Sequence, residues 1–181
     1  SPNPQLSNGT IQVGTIITSN SFGKGGSVVI DSRGGINLTD VVDARSFETV
    51  SNGGSVNLIA NGDIKTSTIF TDSDRGNGST INLTSRNGAI DTSAGELRSY
   101  AYFPGVNGGA VSLTAQGDIT VREIDSSSGF FGGGGNINLT SLAGTVSIAN
   151  GIIFSATYGT DKAGDIRIAA GSVFLNAAKL D

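Results

Sequence analysis

The sequence predicts an all-β protein: a right-handed, single-stranded parallel β-helix, or three-sided β-solenoid, of about six to seven coils of 25–30 residues each. Two observations carry this prediction. A phrase of glycine or serine followed by alternating apolar residues recurs along the chain, and after each copy a glycine-containing turn leads to a second alternating pair. No window has the 3.6-residue spacing of a helix, so we expect no helix of any length.

The first strand of each coil has two inward apolar residues that flank one outward residue. The first inward residue stands at positions 28, 56, 81, 111, 137 and 166, so the coils are 28, 25, 30, 26 and 29 residues long. Such period-two alternation indicates a strand with one buried face. The inward pairs are Val28/Ile30, Val56/Leu58, Ile81/Leu83, Val111/Leu113, Ile137/Leu139 and Ile166/Ile168.

The second strand of each coil has the same alternation. Before the first full coil, Ile11, Val13 and Ile16 align with Ile36, Leu38 and Val41, which predicts that the chain opens partway through a coil. The inward pairs are Ile36/Leu38, Ile64/Thr66, Ile90/Thr92, Ile119/Val121, Val146/Ile148 and Val173/Leu175.

A third segment completes each coil, and we predict it to be irregular and of variable length. Its apolar residues include Val41, Ile69, Leu97, Ile124 and Ile152. If successive coils stack, their strands pair in parallel about 4.8 Å apart. Crossovers between parallel strands are nearly always right-handed, which gives the predicted hand of the solenoid.

Residues 1–181 are interpreted as one β-solenoid segment. Both ends consist of repeat-like sequence, and a solenoid normally needs caps over its terminal coils. We therefore expect the segment to come from a longer repeat protein and to associate edge to edge or end to end when isolated.

Composition narrows the class of function. The net charge of −4 argues against binding to nucleic acid, and no apolar run is long enough for a membrane span. The chain has no cysteine and no histidine, which excludes disulfides, thiol nucleophiles and a Ser-His-Asp triad. We expect no metal, no cofactor and no enzymatic activity.

Two pairs of repeat phrases carry a family resemblance. Asn52-Gly-Gly-Ser-Val-Asn-Leu precedes Asn61-Gly-Asp-Ile-Lys-Thr, and Asn107-Gly-Gly-Ala-Val-Ser-Leu precedes Gln116-Gly-Asp-Ile-Thr-Val. With the Ser- and Gly-rich third segments, they resemble the repeats of filamentous haemagglutinin-like exoproteins over nearly the whole chain. The resemblance implies a secreted or cell-surface bacterial β-helical protein, exported by two-partner secretion, that acts as an adhesin or a stalk. It implies no functional residue, because the matching positions are structural.

The aromatic residues concentrate in the third segment, which holds ten of the eleven. We favour a structural interpretation, in which the rings fill the wider third side of the core and stack coil on coil. The alternative is a surface stripe that stacks on sugars or packs against a partner. For that alternative the predicted ligand contacts are Tyr100, Tyr102 and Phe103, because they lie in the longest coil. A glycan or a cell-surface protein is the expected partner.

Acidic residues test the alternative of a carbohydrate-binding or carbohydrate-cleaving β-helix protein. Asp63 and Asp118 occupy equivalent positions two coils apart, a separation of about 10 Å with no second row of acids beside them. Lys65 and Asp91 fall on one outward position of adjacent coils, which predicts a surface ion pair. These patterns favour a non-enzymatic rod.

Overall fold

The structure, a computed structural model, describes residues 9–48, 50–176 and 179–180. All regular elements in these ranges are strands and none is a helix, which confirms the all-β prediction. The strands are β1 (Ile11–Val13), β2 (Ile16–Ile17), β3 (Val28–Ser32), β4 (Ile36–Leu38), β5 (Val42–Asp43), β6 (Val56–Ala60), β7 (Ile64–Thr66), β8 (Ile69–Phe70), β9 (Ile81–Ser85), β10 (Ile90–Arg98), β11 (Val111–Ala115), β12 (Ile119–Asp125), β13 (Ile137–Ser141), β14 (Thr145–Phe154), β15 (Ile166–Ala169), β16 (Ser172–Asn176) and β17 (Lys179–Leu180).

The strands form the three sides of a parallel β-solenoid. The first side is the six-stranded sheet β3-β6-β9-β11-β13-β15. The second side runs from β1 through β4, β7, β10, β12 and β14 to β16. The third side contains β2, β5, β8 and β17, together with the second halves of β10, β12 and β14. Every pairing is parallel, so each coil lies in register on the one before it.

The predicted inward columns are confirmed except at Val173 and Leu175, which were predicted to point inward but are 45% and 49% exposed and lie outside the apolar core. Val28, Val56, Ile81, Val111, Ile137 and Ile166 are successive register partners along the first side. Their side chains and the matching second-side residues form one continuous apolar core. Full burial of one such side chain stabilises the fold by roughly 1.5–3 kcal/mol, so stacked Val, Ile and Leu supply the core without any buried aromatic ring.

The third side is more regular than predicted, and one predicted alignment on it is wrong. Short strands replace the expected irregular segment, and Ile16 pairs with Val42 rather than aligning with Val41. Val42 and Ile153 are fully buried, whereas Val41 and Ile152 are only partly buried. The physical reason is the bend between the second and third sides, whose length differs between coils. Ile16 follows Val13 by three positions, whereas their register partners Val42 and Leu38 are four positions apart.

The glycines at the coil corners allow close approach of one coil to the next. A side chain at Gly132 would collide with the carbonyl oxygen of Val106, and one at Gly134 with the carbonyl oxygen of Ser155. Among the described glycines only Gly105 has a positive φ, at 80°. Steric proximity of stacked backbones therefore explains the glycine content better than turn conformation does.

Hydroxyl groups close the corner between the third and first sides. At this corner an inward serine or threonine donates a hydrogen bond to a carbonyl at the start of a first-side strand, as Ser155 Oγ does to Gly135 O at 2.6 Å. These bonds satisfy buried polar groups where the apolar core ends. The other donors of this kind are Thr18, Thr71, Ser99 and Ser126.

Candidate functional site

The loops that leave the third side are stacked like the strands. They begin at a row of parallel bridges that joins Asn20, Ser46, Ser73, Ala101, Ser128 and Thr157. Backbone hydrogen bonds continue past this row, from Tyr102 N–H to Ser73 O at 3.1 Å and from Gly129 N–H to Ala101 O at 2.8 Å. Side chains on these loops are thus presented at coil spacing.

Exposed aromatic rings cluster on the loops of three consecutive coils. The exposed fraction is 45% for Tyr102, 47% for Phe103, 59% for Phe130, 60% for Phe131 and 69% for Tyr158. We call these five residues the loop aromatic surface. The N–H of Gly105 donates to Phe130 O at 2.9 Å, which joins the loop of Phe103 to the loop of Phe130.

The interpretation that the rings fill the third side of the core is wrong. None of the eleven aromatic residues is buried. Short strands bring aliphatic side chains inward on this side, and they already fill its cross-section, so the rings are left on the outside. The inward residues of the third side are Val42, Ile69, Leu97, Ile124 and Ile153.

The three predicted contact residues differ in their surroundings. Tyr102 and Phe103 are exposed, and the guanidinium carbon of Arg75 lies 4.8 Å from the centre of the Phe103 ring. Tyr100 is half-buried, and its ring meets that of Tyr102 edge-on at a centroid distance of 4.4 Å. Tyr100 therefore supports Tyr102 from behind, while Tyr102 and Phe103 are accessible to a ligand.

Phe131 has an unfavourable backbone conformation. Its φ of 57° lies in the left-handed region, which a bulky residue rarely adopts. Such a conformation costs of order 1–3 kcal/mol and tends to occur at functional positions. Because the Phe131 side chain is 60% exposed, its burial offsets little of this conformational cost.

A charged network lies beside the loop aromatic surface and was not predicted. Arg98 Nε donates to Asp72 Oδ2 at 2.8 Å, and Tyr100 N–H donates to Asp72 Oδ1 at 2.9 Å. The guanidinium carbon of Arg98 lies 4.2 Å from the ring centre of Phe70, and that of Arg45 lies 4.8 Å from it. Burial raises the pKa of Asp72 to about 6, although the charge of Arg98 opposes the shift.

One part of this network, the contact between Arg98 and Phe70, could have been found from the outward residues of adjacent coils. Asp43, Phe70, Arg98 and Asp125 are register partners in one outward row of the third side. Alternating charges and rings in one such row predict ion pairs and cation–π contacts between coils. The sequence analysis named Ile69 and Leu97, which directly precede Phe70 and Arg98, but it took the third segment as irregular and so predicted no register between its coils.

The two acids considered for catalysis bind the backbone of the next coil. Asp63 Oδ1 accepts the N–H of Ala89 at 2.9 Å, and Asp118 Oδ1 accepts the N–H of Thr145 at 2.7 Å. Register places Ala89 at the equivalent position of the coil that separates the two acids, in agreement with their predicted separation of two coils. Both carboxylates therefore have a structural partner.

The predicted ion pair between Lys65 and Asp91 is wrong, although the two residues are register partners. Asp91 Oδ1 instead accepts the N–H and the hydroxyl of Ser93, at 3.0 and 2.6 Å. A bond to a residue two positions away on the same strand costs less side-chain entropy than immobilising an exposed lysine.

The part of the chain that the structure describes has neither a cluster of metal-binding side chains nor a membrane-spanning helix. Within it, no group of three or more acidic side chains is arranged to hold a metal ion. The same residues include no helix of the length and apolarity needed to cross a bilayer.

No family profile, curated protein or solved structure matches the chain significantly. The class of the protein therefore follows from its own geometry. It is a parallel β-solenoid of about six turns, with an exposed aromatic surface on the loops of its third side.

Proposed function

We propose that the chain is a non-enzymatic, extracellular β-helical rod of a haemagglutinin-like bacterial exoprotein, with the coils as a stalk and the loop aromatic surface as the adhesive contact. Its partner would be a glycan or a cell-surface protein. The observation that carries the proposal is the exposure of five rings on stacked loops, where the core makes no use of them.

The geometry suits adhesion. Three coils span about 10 Å along the rod, so the rings form an exposed patch whose length suits a few sugar units or one partner loop. Aromatic rings supply large contact areas at low conformational-entropy cost, and they dominate binding energy at many interfaces. Backbone hydrogen bonds fix the loops to one another, so less ordering is needed on binding.

The alternative of carbohydrate cleavage has less support. Glycoside hydrolysis normally requires two carboxyl groups that flank the scissile bond. Asp63 and Asp118 are each engaged with a backbone N–H of the following coil. The assignment to haemagglutinin-like exoproteins, and with it export by two-partner secretion and a secreted or surface location, rests on the repeat phrases of the sequence. A secretion domain upstream in the parent gene and a neighbouring outer-membrane transporter gene would support it.

The adhesion proposal is tested by binding to a glycan array and to cultured cells. We expect Tyr102→Ala/Phe103→Ala and Phe130→Ala/Phe131→Ala each to lose most of the binding. Phe22→Ala is the matched control, because Phe22 is 80% exposed on a distant coil and lies outside the loop aromatic surface. Binding that both double variants retain would remove this surface from consideration.

A further inference from the structure

A recess lies at a different corner of the solenoid, between the first and second sides. It has a volume of about 500 Å³, and three glycines, Gly34, Gly35 and Gly62, form part of its wall. Because these corner residues have no side chains, the second-side strands β4 and β7 are accessible from this corner. The polar residues that line the recess are Thr10, Arg33, Asn37, Asn61, Asp63 and Lys65.

The backbone N–H of Asp63 is directed toward this recess. The Asp63 carbonyl accepts the N–H of Ile36 in the preceding coil, at 2.8 Å. The equivalent residue of the next coil, Ala89, directs both groups to its preceding coil: its carbonyl accepts the N–H of Ile64 and its N–H donates to Asp63 Oδ1. By this equivalence the Asp63 N–H points to the preceding coil, where Gly35 occupies the matching position. No described residue accepts a hydrogen bond from this N–H.

The solenoid itself shows which group fits at that position. In two later coils the equivalent N–H groups, those of Ala89 and Thr145, donate to the carboxylates of Asp63 and Asp118 in the coil before. Gly35 provides no such carboxylate for Asp63. The recess thus presents a backbone donor of the kind that binds a carboxylate elsewhere in the same rod.

Two cations reinforce this preference. Arg33 and Lys65 line the recess, and neither forms an ion pair with another described residue. Together with Asp63 they give the recess a net charge of +1, although the chain as a whole carries −4. A guanidinium and an ammonium beside a backbone donor favour an anion.

The remaining polar groups suit a ligand rich in hydroxyls. The side-chain Oδ1 of Asn61 accepts from Asn87 Nδ2 at 2.7 Å, which leaves the side-chain amide hydrogens of Asn61 for a ligand. Asn37 and Thr10 offer an amide and a hydroxyl from the same wall. Several short, neutral hydrogen-bonding groups around one charged centre are typical of saccharide recognition rather than of an apolar ligand.

We propose that this recess binds a saccharide that carries a carboxylate, such as a uronate. The carboxylate accepts the Asp63 N–H and pairs with Arg33 and Lys65, while the sugar hydroxyls bond to Asn37 and Asn61. This site lies at another corner than the loop aromatic surface and does not depend on the adhesive role proposed for it.

The test is an NMR titration of the whole chain with four small probes: methyl β-D-glucuronide, the neutral methyl β-D-glucoside, a sulfated glucose and tri-glutamate. We expect the glucuronide to shift the backbone amide signals of Gly35 and Asp63 and to bind most tightly of the four. Equal affinity for the neutral glucoside would overturn the proposal. Equal affinity for the sulfated sugar would overturn the carboxylate preference, and equal affinity for tri-glutamate would overturn the assignment to a saccharide.

Substitutions locate the binding. Arg33→Gln/Lys65→Gln is expected to weaken glucuronide binding about tenfold or more. Arg122→Gln is the matched control, because Arg122 is an exposed arginine in β12 without an ion pair and outside the recess. Unchanged thermal midpoints would show that the variants are folded. If the double variant binds as well as the wild type, or if Arg122→Gln weakens binding as much, the recess is not the site. Tyr102→Ala/Phe103→Ala should leave this binding unchanged.

Discussion

Thr66→Val is expected to stabilise the protein, because Thr66 has a buried hydroxyl without a hydrogen-bond partner. Thr66 points inward from β7 and is 2% exposed. Its Oγ1 is the one buried side-chain polar atom of the described residues that has no partner. Leu38 is its register partner in the preceding coil and occupies the same inward column. The hydroxyl of Thr66 therefore stands where a methyl group would lie among apolar side chains.

The magnitude follows from the isosteric exchange. An unsatisfied buried polar group costs about 1–3 kcal/mol, and valine has the shape of threonine with a methyl group in place of the hydroxyl. We therefore expect the free energy of unfolding to rise by about 1–3 kcal/mol. For a chain of this length that corresponds to an increase in Tm of about 2–12 °C.

The assay is urea denaturation followed by circular dichroism, with thermal melting as a second measurement. The midpoint should rise while the slope m stays constant, which indicates a change in stability rather than in the surface exposed on unfolding. Thr92→Val is the matched control: Thr92 is the inward threonine of the next coil, and its Oγ1 donates to Thr120 O at 3.4 Å. Thr92→Val should raise the free energy of unfolding by less than Thr66→Val does. A Thr66→Val protein no more stable than the wild type, or one matched by Thr92→Val, would refute the reasoning.

Two further predictions concern charge and close packing. The pKa of Asp72 is raised from 3.8 to about 6 by burial, so between these pH values the folded state retains a proton that the unfolded state has lost. Stability should therefore fall as pH rises from about 4 to about 6, and Asp72→Asn should flatten this slope in urea titrations at several pH values; an identical slope in the variant would contradict the assignment. Gly134→Ala should destabilise the protein by about 1–3 kcal/mol because its side chain would collide with Ser155 O, whereas Gly14→Ala, which meets nothing within 4 Å, should be nearly neutral. Equal midpoints for the two alanine variants would show that coil contacts do not require these glycines.

Much of the fold follows from spacing in the sequence. Apolar residues at 28, 56, 81, 111, 137 and 166 fall in register because strand alternation and a glycine corner recur in each coil, and the structure has these residues as neighbours. The third side was less predictable. Its register depends on the bend after the second strand, where neighbouring coils differ by two residues, so the alternation of one side does not carry through to the next.

The candidate site was predicted in part. The sequence picked out Tyr100, Tyr102 and Phe103 as ligand contacts, but the favoured interpretation placed the aromatic rings inside the solenoid. Nothing in a one-dimensional pattern distinguishes a ring that packs inward from one that lies outside on a stacked loop, because both recur at the coil period. The ion pair between Arg98 and Asp72 was missed for another reason: no register was predicted for the third segment, so the neighbours of Arg98 in the preceding coil were unknown.

The sequence by itself determined the β-solenoid, its parallel pairing and the columns of the first two sides, because these features depend only on short-range alternation repeated at a constant period. Only the tertiary structure decided which rows are buried on the third side and where the aromatic rings lie. It also decided that the backbone N–H of Asp63 has no acceptor among the described residues. These features depend on how the side chains of the three sides fill one cross-section and on which acceptor groups the preceding coil provides. Both are set by contacts between residues more than 20 positions apart.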